Sequence, residues 1–117
     1  MTKFPHVFSP IQIGGITVKN RLFSAPMGSH RLTLDGFVTP ETIDFYANLA
    51  KGGVGLVCIG ETLVDAEIGN NHGQVLKLDN PETIPGLYRL TDAIHRYGAL
   101  ASIELVHPGQ RADPKYN

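Results

Sequence analysis

The sequence predicts an α/β protein made of βαβ units around a parallel sheet, and three observations carry that prediction. Apolar runs at residues 21–25, 54–59 and 99–105 read as strands. Two stretches with helical spacing, residues 39–51 and 85–97, separate them. The second and third strands also share one pattern: helix, glycine stop, apolar run, acidic residue. It reads Lys51-Gly52-Gly53, then 54–60 and Glu61, and again Arg96-Tyr97-Gly98, then 99–103 and Glu104. Strands alternating with helices imply right-handed crossovers and parallel pairing.

Ahead of these units, residues 11–13 and 16–18 alternate apolar and polar around Gly14-Gly15, a two-residue hairpin signal. The first strand runs into Pro26, and a polar loop over residues 28–38 follows, with Asp35-Gly36 inside it. Thr39 is placed to cap the first helix, with Pro40 at its first position and Glu41 behind. Ile43, Tyr46, Ala47 and Ala50 form one apolar face. Residues 54–59 are continuously apolar, as in a strand covered on both faces. Residues 62–82 show no clear period, and an irregular stretch of that length is often functional. The second helix lines up Leu87, Leu90, Ile94 and Tyr97, and Gly98 ends it. Polar segments follow the C-terminal end of each strand. That end carries the chemistry in (β/α)8 barrels and in open α/β sheets alike.

Composition narrows the function classes. Of 117 residues, 42% are hydrophobic and 18% charged, as in globular proteins. A formal charge of −1 gives no basic surface for nucleic acid or anionic lipid, so neither is an expected partner. Cys58 is the only cysteine, which excludes an internal disulfide and a cysteine zinc cluster and suits a cytoplasmic setting. No metal-ligand spacing is seen, and no apolar run is long enough to span a bilayer. A full (β/α)8 barrel takes about 250 residues. The expectation is therefore a fragment, or a chain that completes itself by association. A small stand-alone α/β domain is the competing reading.

The ordered set Phe8-Ser9-Pro10-Ile11, Lys19-Asn20-Arg21-Leu22, Ala25-Pro26-Met27-Gly28, Asp35-Gly36, Ala50-Lys51-Gly52-Gly53-Val54-Gly55-Leu56 and Glu104-Leu105-Val106-His107-Pro108-Gly109-Gln110-Arg111 resembles the old yellow enzyme family. It is most similar to the NADH:flavin oxidoreductase and 2,4-dienoyl-CoA or 2-enoate reductase branch. The resemblance runs along essentially the whole chain. It implies the first three strands and two helices of a TIM barrel, with an N-terminal hairpin under it. On this reading residues 1–117 are the N-terminal part of an FMN-binding domain. The barrel stays incomplete.

The resemblance also implies a flavin site at the strand ends. Ala25, Pro26, Met27 and Gly28 match the family's flavin-binding segment, although Gly28 stands where Cys or Thr is common. Gly60 and Glu61 match a second flavin contact, where a small residue is usual and Glu61 departs from the pattern. Glu104 stands where the family has Gln. Gln donates and accepts, whereas ionised Glu only accepts. Glu104 could accept a hydrogen bond from flavin N3–H, at the cost of placing a negative charge beside the ring, which lowers the flavin potential. Its alternative is pairing with a cation such as Arg111. His30 and His107 are candidates for lining the active site, His107 in a variant of the family's His-x-Gly-Arg motif. His72 shows no partner in the sequence.

The implied reaction uses FMN and NADH or NADPH to reduce an activated alkene, such as an enone, enoate or enoyl-CoA. The groups that hold the substrate carbonyl, donate the proton and bind the FMN phosphate lie on later strands in this family. The sequence holds no ligands for an iron–sulfur cluster, and the chain alone is expected to be inactive. The alternatives are a non-catalytic fragment or interaction module without flavin, or another FMN barrel such as a tRNA-dihydrouridine synthase.

Overall fold

The computed structural model describes residues 3–116. A hairpin of β1 (Ile11–Ile13) and β2 (Ile16–Val18) opens the fold. Gly14 takes the positive φ of 56° that its turn requires. Then come β3 (Phe23–Met27), α1 (Pro40–Lys51), β4 (Leu56–Leu63), β5 (Leu76–Lys77), α2 (Ile84–His95) and β6 (Leu100–Val106). β4 is central. It pairs in parallel with β3 on one edge and β6 on the other, and its last residues also pair with the two-residue β5.

Both helices pack on one face of this sheet. Val57 and Ile59 of β4 and Ala101 and Ile103 of β6 meet Tyr46 and Ala50 of α1 and Leu90 and Ile94 of α2 in a single core. The alternate residues Leu56, Cys58, Leu100, Ser102 and Glu104 fall on the other face by the strand period of two, and they stay partly exposed. Residues 54–59 are therefore covered on one face rather than both. Phe23, Met27 and Leu105 are more than half exposed.

The hairpin is fastened to the N-terminal ends of the strands. Asn20 donates through Nδ2 to the Gly53 carbonyl at 2.7 Å and accepts the Leu22 N–H on Oδ1 at 3.1 Å. Lys19 donates to the Tyr97 carbonyl at 2.6 Å. Val18 is fully buried here. A Cβ on Gly55 would stand 2.5 Å from Asn20 Oδ1 and 2.9 Å from Val18 Cγ1, so only glycine lets hairpin and β4 approach this closely.

Three elements differ from the sequence reading. The first strand lies two residues later than 21–25, because Arg21 and Leu22 spend their N–H groups on Val7 and Asn20. Pro26 does not end it. The proline sits in a register shift between Ser24 and Met27, where its missing N–H breaks no ladder bond. The second helix starts and ends earlier. Asn80 caps a 3₁₀ turn, Pro81–Thr83, that leads into it. It closes before Tyr97, which is 44% exposed and so off the packed face. Residues 62–82 contain β5 and the end of β4. Two residues of strand are too few to show a period.

Asn20→Ala removes both Asn20 hydrogen bonds and leaves Gly53 O without its side-chain donor. The expected cost is about 1–3 kcal/mol, read as a lower urea midpoint at unchanged m-value.

Candidate functional site

The chemistry-bearing residues gather where β3, β4 and β6 end. Tyr46 reaches them from α1 and is buried, at 2% exposure. Its hydroxyl donates to the Met27 carbonyl at 2.7 Å and accepts the Gly60 N–H at 3.2 Å. Burial is the main cause that raises the Tyr46 phenol above its usual pKa, and the hydrogen bond from Gly60 opposes it in part. Gly60 has no alternative residue. A Cβ there would lie 2.2 Å from the Met27 nitrogen and 2.6 Å from two carbonyl carbons, of Pro26 and Met27.

This close approach distorts both ladders. β3 carries an extra residue between Ser24 and Met27, and β4 carries one between Ile59 and Thr62 relative to β6. Such bulges are concentrated at barrel rims and beside active sites, where they re-aim side chains. Here Glu61 takes φ 50°, a left-handed conformation unusual for a residue with a Cβ. Its backbone N–H donates to Glu104 Oε2 at 3.2 Å. Its own carboxylate pairs with His72 Nε2 at 2.7 Å, with both side chains a little over one quarter exposed.

His72 comes from the long segment after β4. That segment is tied down along its length. Asp65 caps the N–H groups of Glu67 and Ile68, Ala66 N–H donates to Asp79, Asn70 Oδ1 accepts from His72 N–H, and Gln74 donates to the Leu32 carbonyl. The His30 ring packs on His72 with centroids 5.2 Å apart. His30 Nε2 and Glu61 Oε2 each lie 3.6 Å from the point where a Cβ on Gly28 would sit.

Ala25, Pro26 and Met27 form an exposed apolar shelf next to this cluster. Glu61 touches both sides of the rim, the Gly28 corner through its carboxylate and Glu104 through its N–H. The residues 25–28, Gly60, Glu61, Glu104 and His30 thus share one surface. His107 makes other contacts. Its Nδ1 accepts the Gly109 N–H, and its ring lies against Gly69, where a Cβ would be 3.0 Å from Nε2. No ion pair joins Glu104 to Arg111 among the described residues. The sequence missed His72, whose partner is eleven positions away across an irregular loop, and Tyr46, which reads as one more core residue on an apolar helix face.

An apolar cleft of about 330 Å³ lies elsewhere, between α2 and β6, lined by Leu78, Leu87, Thr91 and Ile103 among others. It holds no titratable group and is separate from the polar cluster. No group of three or more His, Cys, Asp or Glu among the described residues is placed to hold a metal ion. No helix of the described residues is long and apolar enough to cross a membrane.

Residues 6–117 match the model of the NADH:flavin oxidoreductase / NADH oxidase family. The chain belongs to this family. It is 36% identical over 114 residues to an NADH oxidase of Thermoanaerobacter brockii, covering 97% of this chain and 18% of that protein. It is 37% identical over 107 residues to an NADPH dehydrogenase of Listeria monocytogenes serotype 4a (strain HCC23), covering 91% of this chain and 31% of the relative. Among solved structures, it superposes on a 2-naphthoyl-CoA reductase complex with a TM-score of 0.89 and 28% identity, over 94% of this chain and 17% of that one. Old yellow enzyme from Pichia sp. AKU4542 gives 0.85 and 25%, over 94% of this chain and 28% of that one. The chain therefore spans less than a third of the length of these relatives. The hairpin, β3, β4, β6 and the two helices are the opening elements of their barrel fold, and the rim just described is the C-terminal face of that barrel.

Tyr46→Phe strips the Met27 carbonyl and the Gly60 N–H of their shared partner, at an expected cost of about 1–3 kcal/mol. The raised phenol also sets a pH dependence. The neutral hydroxyl's contribution is fully present below pH about 10, the unfolded tyrosine value. It is lost as pH rises from there through the higher folded value. Urea unfolding across the alkaline range should show this loss in the wild type and not in Tyr46→Phe.

Proposed function

We propose that this chain supplies one wall of an FMN site in an NAD(P)H-dependent oxidoreductase that reduces activated C=C bonds of enone, enoate or enoyl-CoA type. The observation that carries the proposal is the shared surface of residues 25–28, Glu61 and Glu104 at the C-terminal strand ends. FMN, when bound, supplies hydride transfer between a nicotinamide and an electron-poor alkene. The residues suit the chemistry of that group. A flavin needs apolar contact on its ring faces and hydrogen bonds at its pyrimidine edge. Ala25, Pro26 and Met27 offer an uncovered apolar shelf, and Gly28 adds no bulk beside it.

Glu104 offers an acceptor. One carboxylate oxygen holds the Glu61 N–H, and the other makes no hydrogen bond among the described residues. It would accept from an N–H of the pyrimidine edge. Gly60 contributes through its carbonyl and its lack of a side chain, since its N–H is spent on Tyr46. Glu61 acts through its backbone. Its carboxylate is turned onto His72, which answers how a glutamate is accommodated at a position where small residues are usual. Tyr46 holds the Met27 and Gly60 backbones together beneath the shelf and so sets its shape. Relatives named NADH oxidase and NADPH dehydrogenase support a nicotinamide as the reductant. The 2-naphthoyl-CoA reductase neighbour supports a conjugated acyl-CoA or related compound as substrate. A cytoplasmic setting fits the single cysteine and the nicotinamide.

The test is spectroscopic. Joined to the later strands of a family barrel, the chain should give a protein with a flavin absorbance band that NADH or NADPH bleaches without oxygen. Glu104→Gln should raise the flavin potential by on the order of 30 mV, a tenfold change for a two-electron couple, because it removes a negative charge beside a ring that gains electrons. A colourless protein that takes up no added FMN would refute the proposal.

A further inference from the structure

Two residues other than glycine have positive φ among the described residues, His30 at 49° and Glu61 at 50°. A left-handed conformation is strained for a residue with a Cβ, which crowds the following carbonyl oxygen. Strain of this kind persists where the surroundings enforce it, and it concentrates at working sites. His30 and Glu61 lie on different segments, yet their polar atoms converge. His30 Nε2 and Glu61 Oε2 are each 3.6 Å from one point, the empty Cβ position of Gly28. A third segment closes the group, with His72 Nε2 at 2.7 Å from Glu61 Oε2 and its ring 5.2 Å from that of His30.

We propose that Glu61 and His72 are positioning residues for His30, and that this trio presents an imidazole N–H to an oxygen acceptor of the substrate, a carboxylate or a conjugated carbonyl. The proposal rests on the reading of this rim as the substrate-facing side of a flavin site and adds a recognition element to it. A carboxylate can only accept, so His72 Nε2 must carry the proton between them. That bond fixes the tautomer and the ring orientation of His72, as a carboxylate behind an imidazole does elsewhere. The fixed His72 ring then sets where the His30 ring can lie.

His30 is exposed, and its ring makes no hydrogen bond among the described residues. Its Nε2 is the donor of the trio open to a ligand, since His72 Nε2–H is spent on Glu61 and His72 Nδ1, bare in that tautomer, can only accept. Glu61 Oε2 is spent on His72, so the carboxylate serves the imidazole rather than the approach to His30. The other charged groups nearby do not compete. Glu104 meets the trio only at the Glu61 backbone. Arg31 turns its guanidinium to the Ser29 carbonyl and the Phe45 ring. Gly28 keeps the approach to His30 Nε2 open, because any side chain longer than a methyl would enter the space between His30 and Glu61.

Nitrogen-15 NMR of the histidine rings in the purified protein tests both halves. Wild-type His72 should show a fixed Nε2–H tautomer. Glu61→Gln should abolish that pattern and shift the His30 ring signals as well, and His72→Gln should shift His30 in the same sense. Crotonate and the matching enone are then titrated separately. His30→Leu should weaken whichever binds by about tenfold, the worth of one good hydrogen bond, and the two arms tell carboxylate from carbonyl. His30 signals that ignore both Glu61→Gln and His72→Gln would overturn the positioning role. Equal affinity of both ligands for wild type and His30→Leu, or no binding of either, would overturn the recognition role. Flavin absorbance, recorded on the same samples, reports separately on the flavin site, so loss of that reading is distinguishable from loss of this one.

Discussion

The contact on which this structure turns is the meeting of the β3 and β4 backbones at Gly60. The absence of a side chain there lets the Pro26–Met27 peptide come within a distance that no Cβ would tolerate. One buried hydroxyl, from Tyr46, then satisfies a carbonyl on one strand and an N–H on the other. Buried polar groups of this kind are costly when unpaired. The three-way arrangement therefore fastens α1 to two strands at the place where the candidate site begins.

The rest of the rim follows from that fastening. Beside the close approach of β3 and β4, β3 carries an extra residue against β4, and β4 carries one against β6. The bulge in β4 rolls Glu61 into a left-handed conformation. Its N–H then points to Glu104 and its carboxylate to His72. A regular strand would have sent Glu61 to one face and left Glu104 without this partner. The polar cluster is thus a consequence of backbone geometry at a glycine, transmitted along β4 to β6.

Much of the architecture was legible in the residues. Thr39-Pro40 announced the start of α1, and Thr39 caps it. Gly14-Gly15 announced the hairpin, and the helix–glycine–strand–acid pattern announced the two parallel units. The grouping of Ala25, Pro26, Met27, Gly28, Glu61 and Glu104 on one rim followed from their places at strand ends, although their roles toward a cofactor rest on the proposal above. What was not legible depends on contacts between distant segments. Pro26 read as a strand end, but an edge position with a register shift tolerates it. β5 is held by its pairing to β4 rather than by any pattern of its own. Arg111 was within sequence reach of Glu104, yet Glu104 turned to a backbone donor already fixed beside it.

Taken alone, the sequence determined the element order, the parallel pairing, the family and the end of the sheet that carries the polar residues. Local periodicity, capping and glycine positions encode the elements and their pairing, each within a few residues, and the family rests on the resemblance of the ordered motif set. Tertiary structure alone decided that His72 belongs with Glu61 and His30, that His107 meets Gly109 and Gly69, and that Tyr46 is a polar bridge as well as a core residue. Those outcomes depend on where an irregular loop returns and on how closely two strands approach. Neither quantity is written in any short stretch of the chain.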